Sequence, residues 1–349
     1  MAQQLINVGT SANDNTGDTL RDAFQKVNAN VTDLLLSIRT SADSTFNGIT
    51  IGKGGGGTSA STYIGYGTGV SNTTGNSNTS IGYASLNQNT IGGNNSAFGV
   101  NSLLHSISGS FNTALGTNSI VNNTTGSNNS SIGHDSLYSN TIGGENVALG
   151  RASLYQNLGA SSNTAIGYQS GFSNISFFNI SCLGANSNVT NSNQIQLGDS
   201  ATTTYVYGTV QNRSDLRDKA DVQDTVLGLD FICQLRPVDY KWDMREDYKS
   251  EMPIQGELSD EDFKIQMDLW LENNKLSNLT HDGSKKRNRL HHGLIAQEVR
   301  DLGINFGGFQ DHSISGGEDV LSIGYDEFIA PMIKAIQELK AEIEILKAK

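Results

Sequence analysis

Apolar residues recur along this chain in three different rhythms. Between residues 20 and 38 they fall at alternating steps of four and three, at Leu20, Phe24, Val27, Val31, Leu34 and Ile38. A heptad seam of this kind predicts an amphipathic helix whose stripe must be buried. Asp18 or Thr19 is placed to cap its start. No other apolar element lies close by in the sequence, so the stripe is expected to pack against copies of itself.

From about residue 61 to residue 184 the rhythm lengthens. Gly65, Gly82, Gly99, Gly116, Gly133, Gly150, Gly167 and Gly184 are each 17 residues apart, and Gly75, Gly92, Gly109, Gly126 and Gly143 follow the same period. Six consecutive units carry an asparagine at one position, namely Asn78, Asn95, Asn112, Asn129, Asn146 and Asn163. A fixed period marks stacked structural units. This one is too short for helix pairs, and its density of Gly and Asn disfavours helix. Each unit is therefore predicted as two short strands joined by turns, where Gly and Asn supply positive φ at little cost. The asparagines read either as stacked ladders or simply as turn formers.

Large apolar side chains are scarce in each unit, Ile132 and Leu137 being the examples in one of them. One copy is then expected to hold too little material to enclose a core, whereas three chains sharing an axis would triple it. Pairing between chains would also cover strand edges. The expected architecture is mainly β: an elongated homotrimeric shaft of 17-residue repeats, with a monomeric β-solenoid as the alternative. The repeat fades near Ser187, and residues 193–198 and 203–208 read as closing strands.

The third rhythm belongs to the C-terminal part. Val226, Leu227, Leu229, Ile232 and Leu235 have largely helical spacing, and residues 238–242 read as a strand. Phe263, Ile265, Met267, Leu269 and Leu271 suggest a short helix inside the charged stretch 245–287. The chain ends on Ile329, Met332, Ile336, Leu339, Ile343 and Leu346 at steps of three and four, a coiled-coil signal. Alternating Ile and Leu cores favour dimers in isolated parallel coils. The longer shaft is taken to set the number of chains instead.

Charge sharpens the divisions. Residues 1–210 hold 13 Asp, Glu, Lys and Arg, and the last 139 residues hold the other 45. Three segments result: a helical segment expected to self-associate, 1–45; a β shaft, 46–210; and an α+β domain ending in a coiled coil, 211–349. A net charge of -12 argues against nucleic-acid binding. No apolar run approaches the ~20 residues of a membrane span, and no secretion signal opens the sequence. Assembly in a cytoplasm is the expectation. Cys182 and Cys233 make no disulfide framework. His291 and His292 are adjacent, so their side chains point apart, and no metal or cofactor is expected there.

The chemistry concentrates at the junction, residues 213–219. A serine is a weak nucleophile until a neighbour takes its proton, and a lysine can do so only when neutral. Ser214 and Lys219 are five apart. On a helix of ~3.6 residues per turn that spacing sets side chains about 140° apart, and on a strand it sets them on opposite faces. The segment must therefore turn between them, or the lysine must come from another copy.

Residues 213–219, then 235–242, then 292–299 together resemble the intramolecular chaperone domain of phage endosialidases and tail spikes, the S74 peptidase family. The resemblance covers about residues 212–349. It implies that Ser214 is the nucleophile, Lys219 the base and Arg213–Ser214 the bond cut, with Arg217 in a positioning role. It further implies a domain that trimerises and aligns the chains for folding and is then severed. Residues 6–10, continuing through Asp14 to Asn30, resemble an N-terminal motif of phage tail fibres, which implies attachment to another tail or baseplate component. The repeat unit at residues 163–167 is similar to the head repeats of trimeric bacterial adhesins.

The expectation is thus a virion tail-fibre protein, assembled in the host cytoplasm as a homotrimer and cutting itself once. Its partners would be its own copies, a virion component and a host surface receptor, with no membrane insertion. One alternative keeps the chaperone uncleaved as a permanent tip. Another is a glycan-degrading spike, which would need two carboxylates facing one cleft; the repeat region offers only Asp135, Glu145 and Asp199. A bacterial surface adhesin is the third.

Overall fold

A computed structural model describes residues 19–39, 44–46, 49–55, 60–208, 210–250, 253 and 260–349. The attachment motif at residues 6–10 lies outside the described residues. The chain divides into two compact units between Asn188 and Val189.

The first unit begins with helix α1, Leu20–Arg39. Thr19 caps it: its hydroxyl accepts from the Asp22 N–H at 3.2 Å and donates to the Asp22 carboxylate at 2.6 Å. Phe24, Val27 and Val31 of the predicted seam are exposed. Strands β1 (Ser44–Phe46) and β2 (Ile49–Gly52) form an antiparallel pair, and β2 runs antiparallel to β3 (Thr62–Ile64). From β3 onward every neighbour is parallel: β4 (Thr79–Ile81), β5 (Ser96–Phe98), β6 (Thr113–Leu115), β7 (Ser130–Ile132), β8 (Val147–Leu149), β9 (Thr164–Ile166) and β10 (Ser181–Leu183). Thr113 pairs with Ser130 and Ser130 with Val147, so the register advances one period per strand. The result is a β-solenoid of about eight turns.

Two expectations need correcting. Each turn holds one three-residue strand, not two. And a single copy does enclose an interior. The middle residue of each strand points inward, as Ala97, Ala114, Ser131, Ala148 and Ala165 do. Facing them from the turn segments are Leu86, Leu103, Ile120, Leu137 and Leu154, each fully buried. These five adopt left-handed backbone, with φ between 48° and 51°. That conformation is unfavourable for a bulky side chain, and most of all for β-branched Ile120. Burial of the side chain offsets the strain.

What apolar groups do not fill, asparagine and serine do. The side-chain oxygen of Asn112 accepts from the Asn129 backbone N–H, while its amide donates to Gly126 O at 2.9 Å. The same bonds repeat at Asn95, Asn129 and Asn146. A second ladder links Asn123, Asn140 and Asn157 at 2.9 Å per step. All are fully buried. Buried polar groups need such partners, so these residues are ladder elements between turns as well as turn formers. The strict glycine period has a steric cause. Gly116 has φ 137°, and a Cβ there would lie 2.5 Å from the Gly133 carbonyl oxygen of the next turn.

Outside the solenoid, the last residue of each strand stacks into an apolar ladder. Ile81, Leu115, Ile132, Leu149, Ile166 and Leu183 remain 37–46% exposed.

In the second unit β11 spans Ile195–Leu197, and residues 203–208 form no strand. A 3-10 turn at Leu216–Asp218 precedes α2 (Leu229–Gln234), β12 (Val238–Tyr240), a 3-10 turn at Arg245–Tyr248 and α3 (Asp260–Asn273). Then come β13 (His291–Gly293), α4 (Ala296–Asp301), β14 (Phe309–Asp311), β15 (Leu321–Ile323) and α5 (Ile329–Lys347). Strands β12 and β13 pair antiparallel, Asp239 opposite His292, which joins two of the sequence blocks singled out above. Phe231, Val299, Phe306 and Phe328 form the core, with the Phe306 and Phe328 rings 4.5 Å apart. Helix α5 buries Pro331 and Ala335, and its Glu338 accepts from the Leu229 N–H of α2 at 2.7 Å. Its heptad seam, Ile329 through Leu346, is exposed.

Candidate functional site

The junction is built around Asp215. Its carboxylate accepts from the Arg217 N–H at 2.9 Å and so caps the 3-10 turn Leu216–Asp218. The Lys219 N–H closes the turn onto Leu216 O at 3.1 Å. Both flanks, Asp215 and Lys219, are extended. This single tight turn between two extended residues carries the chain back on itself. Lys219 Nζ consequently donates to Ser214 Oγ at 2.8 Å. The awkward five-residue spacing is resolved within one chain.

Two ion pairs brace the turn. The Arg217 guanidinium folds onto Asp215, Nη2 to Oδ2 at 2.6 Å and Nε to Oδ1 at 3.1 Å. The Arg217 bond holds the Asp215 carboxyl below the usual carboxylate range. Arg213 Nε reaches Asp218 Oδ2 at 2.7 Å, tying the residue before the Arg213–Ser214 bond to the turn that follows it. These pairs are exposed and add little stability. Their effect is to restrict where Ser214 and Lys219 can point.

Chemically, the arrangement offers a hydroxyl beside an amine and next to a peptide carbonyl. Deprotonating the hydroxyl needs a neutral amine, and removal from water favours the neutral form. In the single chain both Ser214 and Lys219 face solvent. The contact between Lys219 and Ser214 is thus formed at a solvent-exposed position.

The sequence reading singled out Ser214, Lys219, Arg213 and Arg217, and the structure brings all four into one turn. It missed Asp215 and Asp218, although their alternation with Arg213 and Arg217 was the available signal. His292 Nδ1 sits 2.5 Å from Asp239, and the His291 ring stacks on Tyr240. Among the described residues no group of three His, Cys, Asp or Glu side chains could hold a metal ion. Nor, among them, is any helix long and apolar enough to cross a membrane. On the solenoid, Asp135 accepts from Asn118 at 3.0 Å and Glu145 from Ser162 at 3.2 Å. No protein-family model matches the chain, no curated protein is detectably similar to it, and no solved structure matches its fold.

Proposed function

We propose that this chain is a fibre protein of the phage tail-fibre or tail-spike kind. Residues 211–349 hold three chains in register while the shafts fold, and the chain then severs itself before Ser214. The observation carrying this reading is the 2.8 Å contact from Lys219 to Ser214, in a braced turn between a repetitive shaft and a charged domain.

The homotrimer now rests on different grounds from a shortage of core. Among the described residues three sets of apolar side chains are exposed in the single chain: Phe24, Val27 and Val31 of α1, the ladder from Ile81 to Leu183, and the α5 seam. A helix such as α5, buried on one face by its own domain and apolar on the other, suits a site where copies meet. Pairing long repeats between chains is slow, and a C-terminal association raises local concentration and fixes the alignment.

In the cut itself, Ser214 Oγ attacks the Arg213 carbonyl carbon and gives its proton to Lys219. Lys219 returns that proton to the departing Ser214 nitrogen. Water then hydrolyses the resulting ester, leaving residues 1–213 and 214–349. Afterwards the shaft cannot re-register through its helper and is kinetically trapped. The N-terminus attaches to a tail or baseplate component of the virion, and the shaft meets the host surface. Denaturing electrophoresis tests the cut: wild type should give the two fragments and Ser214→Ala one full-length band. Full-length chain in both would remove the self-cleavage.

A further inference from the structure

We infer that, once cut, the 214–349 fragment stays clamped to the end of its own shaft chain rather than leaving. This rests on the self-cleavage just proposed, and on contacts that lie on either side of the bond.

Residues from Val189 onward belong to the C-terminal compact unit, although they precede the cut. The first clamp is centred on His312, which is buried, as is Asn191. Thr190 Oγ1 lies 2.6 Å from His312 Nδ1, and the ring is fixed from its other side by Ser322 at 2.9 Å from Nε2. The Asn191 amide donates to His312 O at 3.3 Å, and the Glu318 N–H donates to Thr190 O at 2.8 Å. The approach is close enough to require glycine: a Cβ on Gly317 would fall 2.4 Å from Thr190 O.

The second clamp uses the charged stretch 245–287, which lies between the second and third of the resembling blocks. Ser200 Oγ donates to Asp247 Oδ1 at 2.9 Å and accepts from Arg287 Nη2 at 2.5 Å. Arg287 and Asp247 pair directly at 2.9 Å. Both side chains are three-quarters buried, so separation would leave partly desolvated charges and hydroxyls without their partners. Apart from His312–Ser322 and Arg287–Asp247, which lie within the fragment, each of these bonds joins a residue before Arg213 to one after Ser214. Cutting the peptide bond between those two removes none of them. The stretch 245–287 would serve to retain the fragment after it is severed.

The test is gel filtration of the wild-type protein in native buffer, with the peak run on a denaturing gel. Fragments 1–213 and 214–349 should co-elute in equal amounts; fragment 214–349 eluting alone would overturn the inference. If the chain does not cut itself, a site-specific protease sequence replacing the exposed residues 203–208 of Ser214→Ala supplies a nick that both clamps span. Co-elution after that nick supports retention independently of the dyad, and separation refutes it. The paired change Thr190→Val with Ser200→Ala lies on the shaft side and leaves the helper's core untouched. It should speed fragment dissociation about tenfold or more, and an unchanged rate would show that these bonds do not hold the fragment.

Discussion

The Asn129 backbone N–H donates to the side-chain oxygen of Asn112 at 3.0 Å, one turn of the solenoid below it. Asn129 then repeats the relation with Asn146 at 3.1 Å and also donates to Gly143 O at 2.9 Å. Each buried asparagine is thus a rung that satisfies backbone groups of two turns. Such a rung is worth more than an apolar group of similar size, because its loss leaves buried donors and acceptors unpaired.

Asn129→Ala should therefore destabilise the shaft by about 1–3 kcal/mol, since the Asn146 N–H loses its acceptor while the Gly143 carbonyl keeps only the Asn140 amide. Thr113→Ala, at an exposed strand position of the neighbouring turn, should change stability by less than about 0.5 kcal/mol. Denaturant unfolding of the two variants checks the contrast. Equal effects would mean that the ladder is not what holds the turns together.

Lys219→Arg separates charge from base chemistry. Arginine keeps the cation and can still donate to Ser214, but it does not give up its proton. Self-cleavage should slow by about 100-fold or more, while the native mass of the assembly stays unchanged. Cutting at the wild-type rate would remove Lys219 from the role of base.

His312 gives the C-terminal unit a sign-defined pH response. Burial, partly opposed by the charge of Asp311, lowers its pKa below the ordinary ~6.5. The folded state therefore favours the neutral ring, and the unfolded state binds more protons just below ~6.5. Stability is fully present above that pH and falls as the solution is acidified from pH 7 towards 5. Asp311, whose pKa its bond from Ser313 lowers, contributes a further loss only below the ordinary carboxylate range near ~3.9. Thermal unfolding of wild type and His312→Gln across pH 5–7.5 should show the slope in the first and its loss in the second.

The sequence made the period, the helices α1 and α5 and the Ser214–Lys219 turn readable, because each depends on residues close together in the chain. The glycine series marked the repeating turns, and the five-residue spacing narrowed the junction to a turn within the chain or a lysine from another copy. The closed single-chain core was not readable from a count of apolar residues. The sequence left Asn112 and Asn129 open between ladder and turn, and nothing marked Ile120 or Leu137 as residues in left-handed backbone. For α3 the run from Phe263 to Leu271 indicated a helix. Only Phe263 and Met267 are buried on it, however, while Ile265 and Leu269 face outward. The clamps at Thr190 and Ser200 left no trace, since their partners Asp247, Arg287, His312 and Glu318 are distant in sequence and chemically ordinary. The compact units divide at Asn188 rather than at the charge break near residue 210 for the same reason.

Whether copies share the exposed seams is decided most directly by the native mass of the Ser214→Ala protein, which keeps the chain whole. Light scattering should return three times the 37.3 kDa chain mass. Ile336→Asp, at the middle of the α5 seam, should lower that value. A mass of one chain for the unaltered seam would contradict the account, since the shaft would then stand alone and the helper would have nothing to align.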